Sequence, residues 1–518
     1  MITEIDLRLT PAQAANKDKF LLISANILKI KVSDISNYKI IKKSIDARKK
    51  RIVINLKIQI VVNDKEFNFP KPEFKHKDVK FAKEVIVVGA GPAGLFAALQ
   101  LIELGLKPII IERGKIIKER RKDIAALNRE HIVNPESNYA FGEGGAGTFS
   151  DGKLYTRSKK RGNVKSVLEL LQFHGANENI TFEARPHIGT NKLPGIISNI
   201  CKTITDCGGE IRFNSKLTDL IILSDKITGI VINNNEKIMS SAVILATGHS
   251  AADIYELLHS KNIKIENKPF ALGVRVEHHQ SLIDSIQYNC TLRDEYLPAA
   301  NYNLVTQVKG RGVFSFCMCP GGFIVPATTA TDKLVVNGMS PSNRNSKFAN
   351  SGIVVQVKNE DLRDFKQFDE LAGLKFQQHI EKLAFKNANN TQSAPAQRLM
   401  DFVNGEFSNS LPETSYSPGL TSSEIQNWLP KSISSRLQRG FKDFGKKMNG
   451  FLTNQAIVLA VESRTSSPVR ILRSKETLQH EQIKGLYPCG EGAGYAGGIV
   501  SSAVDGQNCA LKVFDYLR

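Results

Sequence analysis

An α/β fold is what this sequence predicts: a parallel-sheet unit at the centre, an α+β domain inserted into it, and a small α+β module in front. Three observations predict it. The β-branched run Val85–Val88 leads straight into a glycine turn, a helix-length apolar stretch and a second strand, Ile109–Ile111. Far downstream, SAVILATG and GLYPCGEGAG repeat the passage from strand into small-residue turn. Between those two segments lie some 200 residues of alternating strand patterns broken by Gly, Pro and Asn turns.

Taken in order, residues 1–78 read as the small module. IDLRLT is a short strand, PAQAANKDKFLLISANIL suits one helix, and YKIIKKSIDA and RIVINLKIQIVV alternate like paired strands. FPKPEFKHKD, with two prolines and mixed charge, reads as a linker. Residues 79–268 form the first part of the central unit. Its first helix is stopped by Gly105, and Pro108 opens the next strand. Helices are expected at 164–174 and 192–206, followed by strands at IRFN, LTDLIIL and ITGIVIN. Residues 269–469 are the inserted domain, with helices at 360–387 and 431–446. Residues 470–518 return to the central unit as strand, glycine-rich loop and terminal helix.

Length and composition agree with this division. A chain of 518 residues exceeds one hydrophobic core and should form about two to four domains. No apolar run reaches the roughly 20 residues of a membrane-spanning helix. The opening MITEIDLRLT lacks the basic flank and apolar stretch of a secretory signal. Seven scattered cysteines fit reduced thiols and a cytoplasmic location better than a disulfide framework. The formal charge is +19, with about half the excess in the first 80 residues. That balance suits a nucleic-acid, membrane or acidic-ligand surface, or it is compositional drift.

The chemistry starts at GxGxxG. Gly89 permits the sharp turn, Gly91 lets backbone approach a pyrophosphate, and Gly94 lets helix and strand pack closely. The helix N-terminus offers N–H groups and partial positive charge to the phosphates. Glu112, ending the second strand, is placed to accept hydrogen bonds from both adenosine ribose hydroxyls and to repel a 2′-phosphate. Three later features favour FAD over NAD in this Rossmann-like domain. FGEGGAGTFSDGKL (Phe141–Leu154) can run along an extended dinucleotide with its backbone N–H groups. VILATG (Val243–Gly248) ends a buried strand in a small-residue turn. LYPCGEGAG (Leu486–Gly494) sets Glu491 beside ribityl hydroxyls, and Gly497 and Gly498 open a helix whose N-terminus suits negative charge at flavin N1/C2=O.

GAGPAG, VILATG and CGEGAG together resemble the FAD domain of the glutathione-reductase/fumarate-reductase-like flavoprotein superfamily. SIDARKKRI, GGAGTFSDGKL, FCMCPGG, ESRTSSPVRI and GEGAGYAGGIVSSAVDG are similar to a bacterial family of uncharacterised FAD-dependent dehydrogenases, or NAD(P)/FAD-dependent oxidoreductases, over essentially the whole chain. The resemblance implies FAD contacts from Gly89, Gly91, Ala93, Gly94, Glu112, Arg113, Thr148, Ser150, Gly248, Gly490, Glu491, Gly498 and Ile499. With one clean dinucleotide fingerprint, no separate nicotinamide domain is expected. NAD(P)H as a transient reductant and an electron-donor protein are the electron sources left open.

A small-molecule substrate is expected between the FAD-binding and inserted domains, where ligand sites concentrate. Arg464 is the first candidate to touch it, as a carboxylate clamp or enolate stabiliser, with an interdomain salt bridge as the alternative. Arg470 is a weaker second. Cys317 and Cys319 can relay electrons or form an adduct, or line a buried turn; zinc lacks a second ligand pair at a usual spacing. Cys489 reads as packing, and His278–His279 as a solvated loop pair or a catalytic acid. The basic stretch Lys42–Arg51 reads as a solvated or cofactor-facing surface more than an RNA site, since no RNA-binding signature accompanies it. The expected activity is hydride transfer between flavin N5 and substrate. The alternatives are a nucleic-acid-modifying flavoprotein docking RNA through the N-terminal module, and a non-enzymatic FAD-containing binding protein.

Overall fold

A computed structural model describes residues 1–49, 51–70, 72–156 and 162–518. Lys50 of the basic stretch and Lys71 of the linker therefore lie outside the described residues.

At the centre stands a five-stranded, wholly parallel sheet in the order Leu486–Pro488, Val243–Leu245, Glu84–Val88, Lys107–Ile111, Glu210–Arg212. Its inner strands and the Leu486–Pro488 edge are short, mostly apolar runs buried on both faces, as parallel sheets require, while the edge strand Glu210–Arg212 is half-buried. Along Glu84–Val88, Val85 and Val87 enter one core with the helices Pro92–Leu104 and Ile499–Leu517. Ile86 and Val88 point the other way, into a core shared with the three-stranded antiparallel sheet Leu217–Leu223, Lys226–Ile232, Glu236–Met239. The last helix thus packs beside the first one of the central unit although some 400 residues separate them in sequence. The fold is α/β with a Rossmann-like central unit, as the sequence predicts.

The chain leaves this unit through Ile265–Asn267 and comes back through Val469–Ile471, and those two strands pair antiparallel. Between them lies an eight-stranded sheet whose central strands are Arg311–Pro326, Phe348–Gln356, Ala271–His279 and Ile457–Glu462. Its core is covered by helices that include Ala372–Lys386 and Lys431–Lys447. The stretch expected to be one helix over 360–387 is divided: a 3₁₀ segment Asn359–Leu371 precedes helix Ala372–Lys386, and Asp369 takes φ +47 at the junction.

The N-terminal module is a three-stranded antiparallel sheet, with Val53–Val62 between Ile2–Leu9 and Ile35–Asp46, and it has its own small core. Its single expected helix is two, Pro11–Ala15 and Lys17–Leu28. Asn16 ends the first in extended conformation, and its side chain caps the second by accepting from Lys19 N at 3.0 Å. The module docks by backbone: Lys43 N–H donates to Phe182 O, and Ala184 N–H donates to Lys43 O. No helix among the described residues is long and apolar enough to cross a membrane.

Candidate functional site

Glycines build the site by two different means. Gly89 turns the chain at φ +105, and a Cβ there would meet Ala246 O at 2.4 Å. At Gly94 a Cβ would lie 1.9 Å from Gly89 O, so this glycine closes helix on turn and stays out of the cavity. Gly91 differs: the nearest atom to its virtual Cβ is 3.9 Å away. Gly248, Gly497 and Gly498 have no atom within 4 Å of theirs. These four face a cavity of about 380 Å³, which they line together with Gly89, Ala93, Glu112, Arg113, Ser150, Glu491 and Ile499.

Two helices end at this cavity. Pro92–Leu104 starts from Gly91 and Ile499–Leu517 from Gly498, and neither N-terminus has a side-chain cap. Unpaired N–H groups and a partial positive charge at each end suit a diphosphate or an electron-rich ring edge. An extended flavin dinucleotide fits this lining. Its diphosphate has bare backbone to lie on where side chains would otherwise stand, and the small-residue turns keep the trough open.

Other predicted residues have partners of their own. The Glu112 carboxylate accepts from Ala90 N, Gly114 N and Gly142 N, each at 2.9 Å. It therefore ties three turns together, and its remaining acceptor capacity is smaller than a bidentate ribose clamp would use. Arg113 stacks on Phe141 with its guanidinium 4.5 Å from the ring centroid and pairs with Asp253 at 2.6 Å. Thr148 is fully buried, donates to Glu143 O at 2.6 Å and does not line the cavity. Gly490 also lies behind the wall, its N–H donating to Asp505 at 2.7 Å. Cys489 lines the cavity but is buried, next to Cys509 and Asp505; Arg473 holds that carboxylate with two guanidinium nitrogens.

Sequence reasoning missed Arg120. This side chain is wholly buried and donates to the carbonyls of Asn138, Tyr139, Glu143 and Gly145 at 2.7–2.9 Å. It fixes the glycine-rich loop from behind. Burial pushes its guanidinium down to about 10, against the opposing pull of Glu112 and Glu143. His249 was also missed; its Nδ1 lies 3.5 Å from Glu491 Oε1 at the cavity wall.

The inserted sheet supplies the opposite wall through Phe316, Cys317, Asn337, Arg464 and Thr465. The Arg464 guanidinium is held by Glu381, Nε to Oε1 at 3.1 Å and Nη2 to Oε2 at 3.2 Å, and donates across to Ser250 Oγ at 3.2 Å. Arg470 pairs with Glu266 at 2.6 Å and does not line the cavity. Cys317 is exposed and faces the cavity, whereas Cys319 is buried beside it. Lys153 Nζ lies 3.8 Å from Cys317 Sγ and 3.7 Å from Cys319 Sγ.

His278 overturns both expectations for it. The ring is buried in strand Ala271–His279, away from the cavity, with Nε2 2.8 Å from Phe451 O and the Phe451 ring 4.5 Å away. Burial lowers its pKa to about 4 and keeps it neutral. It is neither solvated nor placed as a catalytic acid, because strand alternation turns it into the core while His279 stays half-buried.

Residues 269–465 match the family model described as FAD-dependent protein, C-terminal domain-like; residues 82–137 match FAD binding domain; residues 1–61 match a domain of unknown function. An uncharacterized protein of Clostridium beijerinckii is 41% identical over 507 residues, covering 94% of each chain. Thiamine thiazole synthase of Aeropyrum pernix is 26% identical over 151 residues, 29% of this chain and 43% of that one. Among solved structures, a geranylgeranyl bacteriochlorophyll reductase-like protein of Thermoplasma acidophilum aligns with TM-score 0.34 and 15% identity, over 84% of this chain and 79% of that one. A flavocytochrome c3 fumarate reductase aligns with TM-score 0.33 and 13% identity, over 84% and 78%.

Proposed function

The chain belongs to a family of FAD-dependent oxidoreductases, and from that premise we propose that it oxidises or reduces a small molecule held where the central parallel sheet faces the inserted eight-stranded sheet. One observation carries the reading. A single cavity is walled on one side by Gly89, Gly91, Gly248 and Gly498, and on the other by Phe316, Cys317, Asn337 and Arg464. Bound FAD supplies two-electron chemistry at its isoalloxazine ring.

The chain's own residues bind, orient and exclude water. Gly91 and Gly498 with their helix N-termini would hold the dinucleotide, and Gly89, Ala93, Ser150, Gly248, Glu491 and Ile499 complete the trough. Gly94, Thr148 and Gly490 act from behind, fixing the turns that make contact, and Glu112, itself in the wall, ties three of those turns together. Arg113, stacked on Phe141, would wall the trough beside the bound cofactor. Arg464 spans the two walls through Glu381 and Ser250; these use three of its five N–H groups, and the charge left for a substrate carboxylate is largely neutralised. Its main part is to position the opposite wall. The His249 Nδ1–Glu491 pair is the group placed to hold a proton at the cavity wall.

The test is spectroscopic. The purified protein should be yellow, and its flavin band near about 450 nm should bleach anaerobically with NADH, NADPH or one member of a metabolite panel. Rapid bleaching by NADPH alone would assign a nicotinamide as the transient reductant, and bleaching only by a reduced protein would assign a protein donor. A yellow protein that exchanges electrons with none of them would leave a binding role and remove the proposal.

A further inference from the structure

We propose that Cys317 and Cys319 form a thiol–disulfide exchange centre that reacts with small anionic disulfides entering through a second, basic vestibule. This inference stands on the thiols and the vestibule rather than on the flavin reaction, so the two readings fail separately.

The backbone brings the thiols together. Strand Arg311–Pro326 pairs regularly with Phe348–Gln356 up to Phe316, then slips register before Cys319. Cys317 sits in that bulge at φ +48, a left-handed conformation that costs about 1 kcal/mol or more for a residue with a Cβ. Two residues apart, Cys317 and Cys319 would share one face of a flat strand; across the bulge both sulfurs still reach one ammonium, Lys153 Nζ, at 3.8 and 3.7 Å, with Cys317 exposed and Cys319 buried. Strain held at such a point is a mark of a functional position.

The electrostatics separate the roles of the two sulfurs. The contact with the Cys319 thiol, whose S–H donates to Cys317 O at 3.2 Å, lowers the Cys317 thiol far below the ordinary thiol range, helped by Lys153 and Arg275 and opposed by burial and Asp151. The same contact and burial drive Cys319 up. Although burial opposes its charge, the two thiols and Asp151 hold the Lys153 ammonium charged. Cys317 is thus the exposed nucleophile and Cys319 the buried resolving thiol. Among the described residues the pair belongs to no group of three metal-ligating side chains.

Cys317 lines two cavities. Besides the glycine-walled one it borders a vestibule of about 580 Å³ that also carries Lys153, Arg185 and Arg344, and among the described residues no Asp or Glu lines it. Asp151, 3.4 Å from Lys153 and 3.1 Å from Arg344, offsets one of these three charges, and the positive remainder favours an anionic reactant. Its chemistry is set by the sulfurs. Cys317 S⁻ attacks one sulfur of R–S–S–R, forming the mixed disulfide and expelling RS⁻. Cys319 then gives up its proton, attacks Cys317 Sγ, closes the Cys317–Cys319 bond and expels the second RS⁻, which takes that proton. One disulfide is reduced and two protein thiols are oxidised, and excess RSH reverses the sequence.

The test uses the full-length protein as purified, reduced, desalted and challenged with glutathione disulfide or with cationic cystamine, then acid-quenched, alkylated and mapped by mass spectrometry. The expected product is an intramolecular Cys317–Cys319 bond, formed about tenfold faster with glutathione disulfide at low salt. Cys319→Ser should trap glutathione on Cys317, and Cys317→Ser should leave Cys319 unmodified. Lys153→Met should move the pH at which exchange turns on upward by about one to two units, a shift that a purely structural lysine would not cause. Both thiols remaining reduced, pairing with other cysteines, or equal rates with the two disulfides would overturn the proposal. Failure of exchange in a yellow, flavin-active protein removes this inference alone; exchange in a protein inert at its flavin removes the flavin reading alone.

Discussion

Neighbouring glycines of one motif differ in what a side chain would meet, and that difference separates binding from folding. At Gly91 a Cβ meets nothing closer than 3.9 Å, so Gly91→Glu should fold and place bulk and charge in the dinucleotide trough. Its flavin absorbance per mole of protein should fall by at least about tenfold while its far-ultraviolet dichroism is unchanged. Gly94→Ala should do the reverse, since its methyl would sit 1.9 Å from Gly89 O and cannot be relieved by a side-chain rotation. A stability loss of about 1–3 kcal/mol is expected there, seen as a lower melting temperature even without cofactor. His278 gives a pH signature of its own. Its folded pKa is depressed to about 4 from 6.5, so the unfolded chain binds the extra proton between those values. Stability from this residue is intact above about 6.5 and is lost as pH falls toward about 4, by about 3 kcal/mol at most. Melting temperature measured from pH 7 to 4.5 should fall less steeply in His278→Gln than in the parent.

Segments show a similar division between what is local and what is not. The loop 138–147 carries glycines that any reader of the sequence would mark, yet it is held by Arg120 from helix Ile117–Glu130, whose four acceptors are all backbone carbonyls. Arg120→Leu should leave those carbonyls without a donor and cost about 3–5 kcal/mol. Arg120→Lys should recover little, because an ammonium cannot span four carbonyls as a planar fork does. Both variants should lose flavin together with thermal stability, and a variant that kept full flavin content would show that the loop orders itself. The glycine turns were legible because a sharp turn, a close approach and an unfilled trough each demand glycine at the residue concerned. Arg120, Arg275 and Glu381 were not, because buried charge is explained by partners far away in sequence, such as Glu462 for Arg275 at 2.7 Å. Helix breaks at Asn16 and Asp369 were missed for a related reason: apolar periodicity runs through both, and only the capping and the positive φ reveal the interruption.

Across the whole molecule the cofactor trough is also the seam between two cores. The inserted sheet is tied to the central unit by the strand pair Ile265–Asn267 and Val469–Ile471 at its base. At its far side Arg344 reaches Asp151 at 3.1 Å, and Thr190 N–H donates to Ser340 O at 3.0 Å. Near the cavity the Arg464 guanidinium bridges Glu381 and Ser250. On the proposed site, a dinucleotide held by glycine turns on one wall and faced by Phe316, Asn337 and Arg464 on the other would bind only when both units are folded and closed. Linkage then assigns its binding energy to both. At a free FAD concentration 100 times Kd the gain is about 2.7 kcal/mol, worth roughly 2–3 °C for a chain of this size. Calorimetry with and without FAD should show the transitions of both units rising together. Arg464→Ala, which leaves the buried Glu381 carboxylate without its cation, should uncouple them, so that FAD raises the central unit's transition and leaves that of the inserted domain in place. If FAD shifted only one transition in the parent protein, the opposite wall would not be part of the binding site.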